Sequence, residues 1–177
     1  MTKTANATSA PKPVDTATAS GGTVLATFTM PGDRDIRVER VFSAPRERVW
    51  RAFADPALLG QWWGRGTKVT IERFEFERGG HWRFVEHTER GAFGYEGRYR
   101  EVVPMERIVR SFEWDGMPGH VAIETVTFED VEGDRTRVVT TLLCHTTSER
   151  DGFFHSGMES AKNKQYALLD AVLAVMK

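Results

Sequence analysis

The side chains able to do chemistry in this chain are few and scattered. None of the five histidines, His81, His87, His120, His145 and His155, has the His-x-x-x-His spacing that offers two imidazoles to one ion from a helix. His81 and His87 stand six apart in what reads as one strand, so they share a face but lie about 20 Å apart. A zinc centre needs three or four converging ligands, and no metal site is expected. Cys144 is the only cysteine, so no internal disulfide can form. It sits in a strand rich in Val, Thr and Leu, where a small buried thiol is the default. Its neighbour His145 points to the opposite face and cannot serve as its base within the strand. Ser156 and Ser160 lack a glycine-flanked elbow. Gly79-Gly80 lacks the spacing of a phosphate loop and precedes no helix. Covalent catalysis, nucleotide binding and a cofactor are therefore not expected.

Acid–base chemistry has more candidates: Glu86, Glu96, Glu101, Glu124, Arg98, Arg110, Tyr99 and Asn163. An unpaired carboxyl facing a poorly hydrated interior would have a raised pKa and exchange protons near neutrality. The alternative is Glu–Arg pairing on the solvent side. Tyr95, Gly97, Tyr99 and Glu101 share one side of a strand, and Glu96, Arg98 and Arg100 the other. The tyrosine side is expected to face inward, leaving Glu101 as an interior acid or an end-of-strand residue reaching water. Adjacent tryptophans, Trp62 and Trp63, each carry a large apolar surface and one N–H. One is expected to pack inside and the other to face outward or over a cavity mouth, in a turn bracketed by Gly60 and Gly64.

The elements that must position these groups follow from periodicity and breakers. "RDIRVERVF" (34–42) alternates as a strand. Ser43 is placed as a helix cap, with Pro45 and Glu47 in the first turn, and Val49, Trp50, Phe53 and Leu58 fall near helical spacing. Pro56 splits this region into two short helices. Six strands are expected over 68–77, 81–89, 94–103, 107–114, 120–128 and 136–145. Turn-sized gaps between them imply an antiparallel meander. One long helix, 149–176, closes the chain, with Phe154, Met158, Ala161, Gln165, Leu168 or Leu169, Val172 and Met176 on its apolar stripe. The layers pack as an α+β fold: a curved antiparallel sheet of about seven strands around the C-terminal helix, with two short helices after the first strand. Such wrapping leaves space for a mostly apolar pocket with a few polar anchors.

Composition bounds the remaining possibilities. In 177 residues, 40% are hydrophobic and 28% charged, and 24 basic side chains meet 25 acidic ones for a formal net charge of −1. That balance lacks the basic surplus of a nucleic-acid footprint. No apolar run approaches the roughly 20 residues that span a bilayer, so neither nucleic acid nor membrane is an expected partner. A cytoplasmic setting suits the lone cysteine. Residues 1–23, rich in Thr, Ala, Ser and Pro, read as a disordered tail without a secretory signal's apolar block. Residues 24–33 read as an extra strand or arm, and 34–177 as the folded domain. A homodimer is the default assembly.

"FSAPRERVWRAFADPALLGQWWG" (42–64), "FERGGHWRF" (76–84), "GYEGRYREVVPMERIVRSFEW" (94–114) and "HSGMESAKNKQYALLDAVL" (155–173) together resemble one family. It comprises bacterial proteins similar to the C-terminal domain of the activator of the ninety-kilodalton heat-shock protein ATPase, in the START-like (SRPBCC) superfamily. The resemblance implies a helix-grip fold holding a small hydrophobic or aromatic ligand between sheet and helix. The expected ligand-binding residues are Trp50, Phe53, Trp62, Trp63, Trp82, Phe84, Tyr99, Phe112, Trp114, Phe154, Met158, Ala161 and Gln165. A polyketide aromatase/cyclase-like enzyme and a chaperone-associated interaction module are the alternatives that the same resemblance carries.

Overall fold

The computed structural model describes residues 24–176; the tail assigned to 1–23 lies outside them. Eight strands form one antiparallel sheet in the order β1-β2-β8-β7-β6-β5-β4-β3. They are β1 (Thr27–Thr29), β2 (Asp35–Phe42), β3 (Lys68–Phe74), β4 (His81–Thr88), β5 (Gly91–Val103), β6 (Arg107–Trp114), β7 (Ala122–Val131) and β8 (Arg135–Leu143). The eighth strand is β1, a three-residue edge ribbon on β2 that lies within the segment 24–33 read as an extra strand or arm. The C-terminal helix runs across the concave face, giving the helix-grip arrangement of a START-like domain.

Two short helices follow β2: α1 (Arg46–Ala54) and α2 (Pro56–Trp62). Pro56 ends one and starts the other. Its ring fits a first helical turn, and the Asp55 carboxylate accepts from the Ala57 N–H at 2.9 Å. Ser43 does not cap α1. Pro45 occupies that position without a side-chain bond, and its carbonyl accepts from the Arg48 and Val49 N–H groups.

The closing helix departs from the single rod expected over 149–176. It comprises α3 (Thr147–Phe153), a π-helical turn (Phe154–Met158) and α4 (Glu159–Val175). Thr146 caps its start by accepting from Glu149 N–H. Gly157 takes φ 88° inside the turn, a left-handed conformation that glycine adopts without steric penalty. A π turn adds one residue to the helical repeat, so every sequence-based phase upstream of Met158 is displaced by one position.

The core lies between the layers. β2 alternates strictly, with Ile36, Val38, Arg40 and Phe42 buried. Phe42 meets Tyr166 of α4 edge-to-face, while Leu169, Val172 and Leu173 complete the helix's buried side. Arg40 is the polar exception: its guanidinium pairs with Asp170 and lies over the Phe42 ring at 4.9 Å. Among the described residues no helix is long and apolar enough to cross a membrane.

Candidate functional site

Strand register brings three polar side chains into one row. Tyr99 on β5 stands opposite Arg110 on β6, and Arg110 stands opposite Glu124 on β7. All three face the concave side. The Arg110 Nε donates to Oε2 of Glu124 at 2.6 Å and Nη2 forms an ion pair with the same oxygen, while the guanidinium lies 4.3 Å from the Trp82 ring centroid. Burial alone would raise the Glu124 carboxyl, but the charges of Arg110 and Lys162 and the Arg110 hydrogen bond outweigh it and hold it below the ordinary carboxylate range. Burial pushes the Tyr99 phenol up to about 12.

A second pair is built by the loop after α2. Trp63 ends that helix as its C-cap, and the chain then turns so that Arg65 Nε donates to Glu86 Oε1 at 3.0 Å and Arg65 Nη2 reaches Oε2. The Thr67 hydroxyl donates to Oε1 at 2.7 Å. Burial opposes ionisation of Glu86, yet these donors and the Arg65 charge overcome it, leaving its carboxyl low. Glu86 thus clamps the loop that carries Trp63. Gln165 of α4 holds the other side by donating to the Trp63 carbonyl.

Between α3–α4 and strands β4 to β8 lies a cavity of about 700 Å³. Its walls include Trp63, Phe93, Tyr95, Phe112, Trp114 and Phe153, with Met158, Ala161 and Gln165 from the helix. Glu124 and Lys162 also line a separate space of about 20 Å³ against Phe53, Trp62 and Tyr99, room for about one water.

Of the residues expected to contact ligand, Trp63, Phe112, Trp114, Met158, Ala161 and Gln165 meet at the large cavity. Phe53, Trp62 and Tyr99 line only the small one. Trp50, Trp82, Phe84 and Phe154 line neither, for separate reasons. Trp50 packs on Phe76 and Phe128. Trp82 lies under the Arg110 guanidinium, and Phe84 is covered by Trp63. Phe154 is turned aside by the π turn; Phe153, five residues before Met158, takes the inward place. The 3.6-residue repeat alone could not signal that displacement.

The tryptophan pair also departs from expectation. Trp62 is the last residue of α2 rather than part of a turn, and both side chains are buried, with 2% and 7% exposure. Successive helical residues diverge by about 100°. Trp62 accordingly points toward α1, its Nε1 donating to Ala52 O at 2.9 Å, while Trp63 reaches Phe84 and Tyr95.

The acid–base candidates divide by face. Glu86 and Glu124 are both buried; Glu124 pairs with Arg110 inside the fold, and Glu86 with Arg65, which itself reaches solvent. Glu96 pairs with Arg83 on the outer face. A register shift between Tyr99 and Glu101 turns Glu101 to the exposed Arg107, so it is the residue that reaches water. Arg98 donates to the Gly79 carbonyl, and the Asn163 side chain accepts from Ala26 N–H, tying the β1 segment to α4. Cys144 is buried, and burial pushes its thiol up to about 11. Among the described residues no three His, Cys, Asp or Glu side chains converge as a metal site. Arg65, Thr67, Tyr95, Phe93, Phe153 and Lys162 were absent from the expected ligand contacts; only the position of Tyr95 on the tyrosine side of β5 had a signal in the sequence.

With this architecture in place, the class is a START-like (SRPBCC) helix-grip domain. A family model described as "Activator of Hsp90 ATPase homolog 1-like protein" matches residues 43–174. The chain belongs to that family. Among solved structures it is similar to a Rhodobacter sphaeroides protein, with 29% identity over 85% of this chain and 99% of the other, and a TM-score of 0.78. Protein CV1439 of Chromobacterium violaceum shares 27% identity over 78% and 96% of the two chains, with a TM-score of 0.64. DynU16, described as a putative protein in the dynemicin biosynthetic locus, is 20% identical over 82% of this chain and 48% of that one, with a TM-score of 0.60; that likeness shows the fold alone. No curated protein matches.

Proposed function

We propose that this domain binds a small hydrophobic or aromatic molecule in the cavity between the sheet and the C-terminal helix. The observation that carries the reading is the volume, about 700 Å³ with six aromatic side chains and Leu142, Met158 and Ala161 in a lining that also holds charged groups, within the range of small-molecule sites. The two buried carboxylates in its lining fit a binding role. Glu86 and Glu124 are both held ionised by arginines, so neither keeps a proton to donate near neutrality, and a depressed carboxyl is a weak base.

A second reading, an aromatase/cyclase-like enzyme using the same cavity, is favoured by one observation: Glu124 and Lys162 face the cavity, with Arg110 and Tyr99 directly behind Glu124. Such chemistry requires these groups to position a reactive chain, and it predicts turnover as well as binding.

Native mass spectrometry of protein purified from its own host tests the binding reading. The expected result is a retained small molecule, or uptake of an apolar fluorescent reporter, that is weakened in Ala161→Trp, where an indole projects into the cavity. A wild-type protein that carries nothing and takes up no reporter overturns it.

A further inference from the structure

The inner end of the cavity holds two side chains with unused hydrogen-bonding capacity. Arg110 engages Glu124 at Oε2, through the Nε hydrogen bond and the Nη2 ion pair, and Oε1 has no hydrogen-bond partner among the described residues. Lys162, on the first turns of α4, rests over the Tyr166 ring at 5.1 Å. Its ammonium forms no ion pair or hydrogen bond among the described residues. The two are close enough for the Lys162 charge to act on the Glu124 carboxyl, yet no bridge of 4.0 Å or less joins them. Both line the large cavity. An ionised acceptor and an ammonium donor therefore face the same space.

Resting on the binding reading above, we infer that the ligand presents a neutral hydroxyl, phenolic or alcoholic, between Glu124 Oε1 and Lys162 Nζ, with its aromatic body against Trp63, Tyr95, Phe112 and Trp114. A hydroxyl oxygen is both donor and acceptor, so one atom satisfies both protein groups: its proton goes to the carboxylate and its lone pair receives the ammonium. Neither kind of ionic head group fits as well. A carboxylate would gain Lys162 but confront the Glu124 charge, and an alkylammonium would gain Glu124 but confront Lys162 and the nearby Arg110. The other buried carboxylate offers no competing site, because Glu86 Oε1 accepts from Arg65 and Thr67 and its Oε2 is taken by Arg65.

Displacement of an apolar fluorescent reporter by naphthalene, 2-naphthol, 2-naphthoate and 2-(aminomethyl)naphthalene at pH 7 tests the inference on one ring skeleton. The expected order places 2-naphthol first, about tenfold or more tighter than naphthalene, as hydrogen bonds to charged groups permit. Lys162→Met should remove most of that preference, read as the ratio of 2-naphthol to naphthalene affinity in the same variant. Glu124→Gln, which keeps an acceptor but loses the charge, should weaken it less. Tighter binding of the naphthoate or the ammonium compound overturns the hydroxyl assignment, as does an unchanged preference in Lys162→Met. In either case reporter binding still stands. Failure of the wild type to take up the reporter removes both the binding reading and this inference.

Discussion

The two ends of the concave face are built from the same curved sheet and end in opposite states. Under α1 and α2 the aromatic side chains close on one another. Phe53 packs on Trp62 and Phe128, Trp50 on Phe76 and Phe128, and Phe76 on Tyr99, leaving about 20 Å³. Beneath α3 and the π turn, a surface that also carries six aromatic side chains, among more polar neighbours, leaves about 700 Å³. Aromatic content does not separate a core from a pocket. The difference comes from what covers each end: two helices insert side chains into the first, while a kinked helix with Gly157 and Ala161 at the lining offers little to fill the second. Trp62 and Trp63 stand on either side of this divide, one residue apart.

The comparison breaks first at that pair. Trp62→Ala should cost about 3–5 kcal/mol, as for other buried aromatics truncated to alanine, because packing and the Nε1 bond to Ala52 are both lost. Trp63→Ala should cost less by at least about 1 kcal/mol, since one side of its ring already faces open space. It should also weaken reporter binding. Urea unfolding of both variants gives the answer; equal losses would mean that the two ends are not distinct.

Next in size is the Arg65–Glu86 clamp that holds the Trp63 loop. Glu86→Gln should cost about 1–3 kcal/mol. The pH dependence has a definite sign. Glu86 and Glu124 are both held below 4.5 in the folded state. Their contribution is fully present above the unfolded value near 4.5 and is lost as the pH falls through their folded values. Denaturation midpoints measured from pH 7 downward should therefore fall more steeply below about 4.5 in the wild type than in Glu86→Gln.

Smaller again is Gly157→Ala. The position has open space around an added Cβ, but its φ of +88° is strained for any L side chain, at about 1–2 kcal/mol. Thermal melting measures the loss, and a larger shift in reporter affinity than in stability would tie the π turn to the open end. The smallest effect is at Cys144. With its thiol pushed up to about 11, it should react with an aromatic disulfide reagent at pH 8 only slowly in the native protein and promptly after denaturation. The absorbance of the released thiolate reports both rates.

Much of the architecture was legible before any coordinates. The alternation in 34–42 gave β2, Pro56 divided α1 from α2, and turn-sized gaps gave the meander. Strand ends moved by a few residues: β3 stops at Phe74 rather than Glu77, and β5 begins at Gly91 rather than Gly94. The tyrosine face of β5 is the inward one, with Tyr95 at the large cavity and Tyr99 at the small one. The site was less legible, and Phe154 and Phe153 show why. A repeat of 3.6 extrapolated back from Met158 selects Phe154, whereas the π turn substitutes Phe153. Trp82 and Phe84 alternate as inward residues should, but alternation says nothing about what lies on top of them.

The sequence by itself determined the α+β class and the order of its elements, because periodicity, proline and glycine act over a few residues. Only the tertiary structure decided that Tyr99, Arg110 and Glu124 form one row and that Lys162 meets Glu124 across a cavity. Those relations depend on strand register and on the phase of a kinked helix. Both are set by packing between residues far apart in the chain, where no local pattern records them.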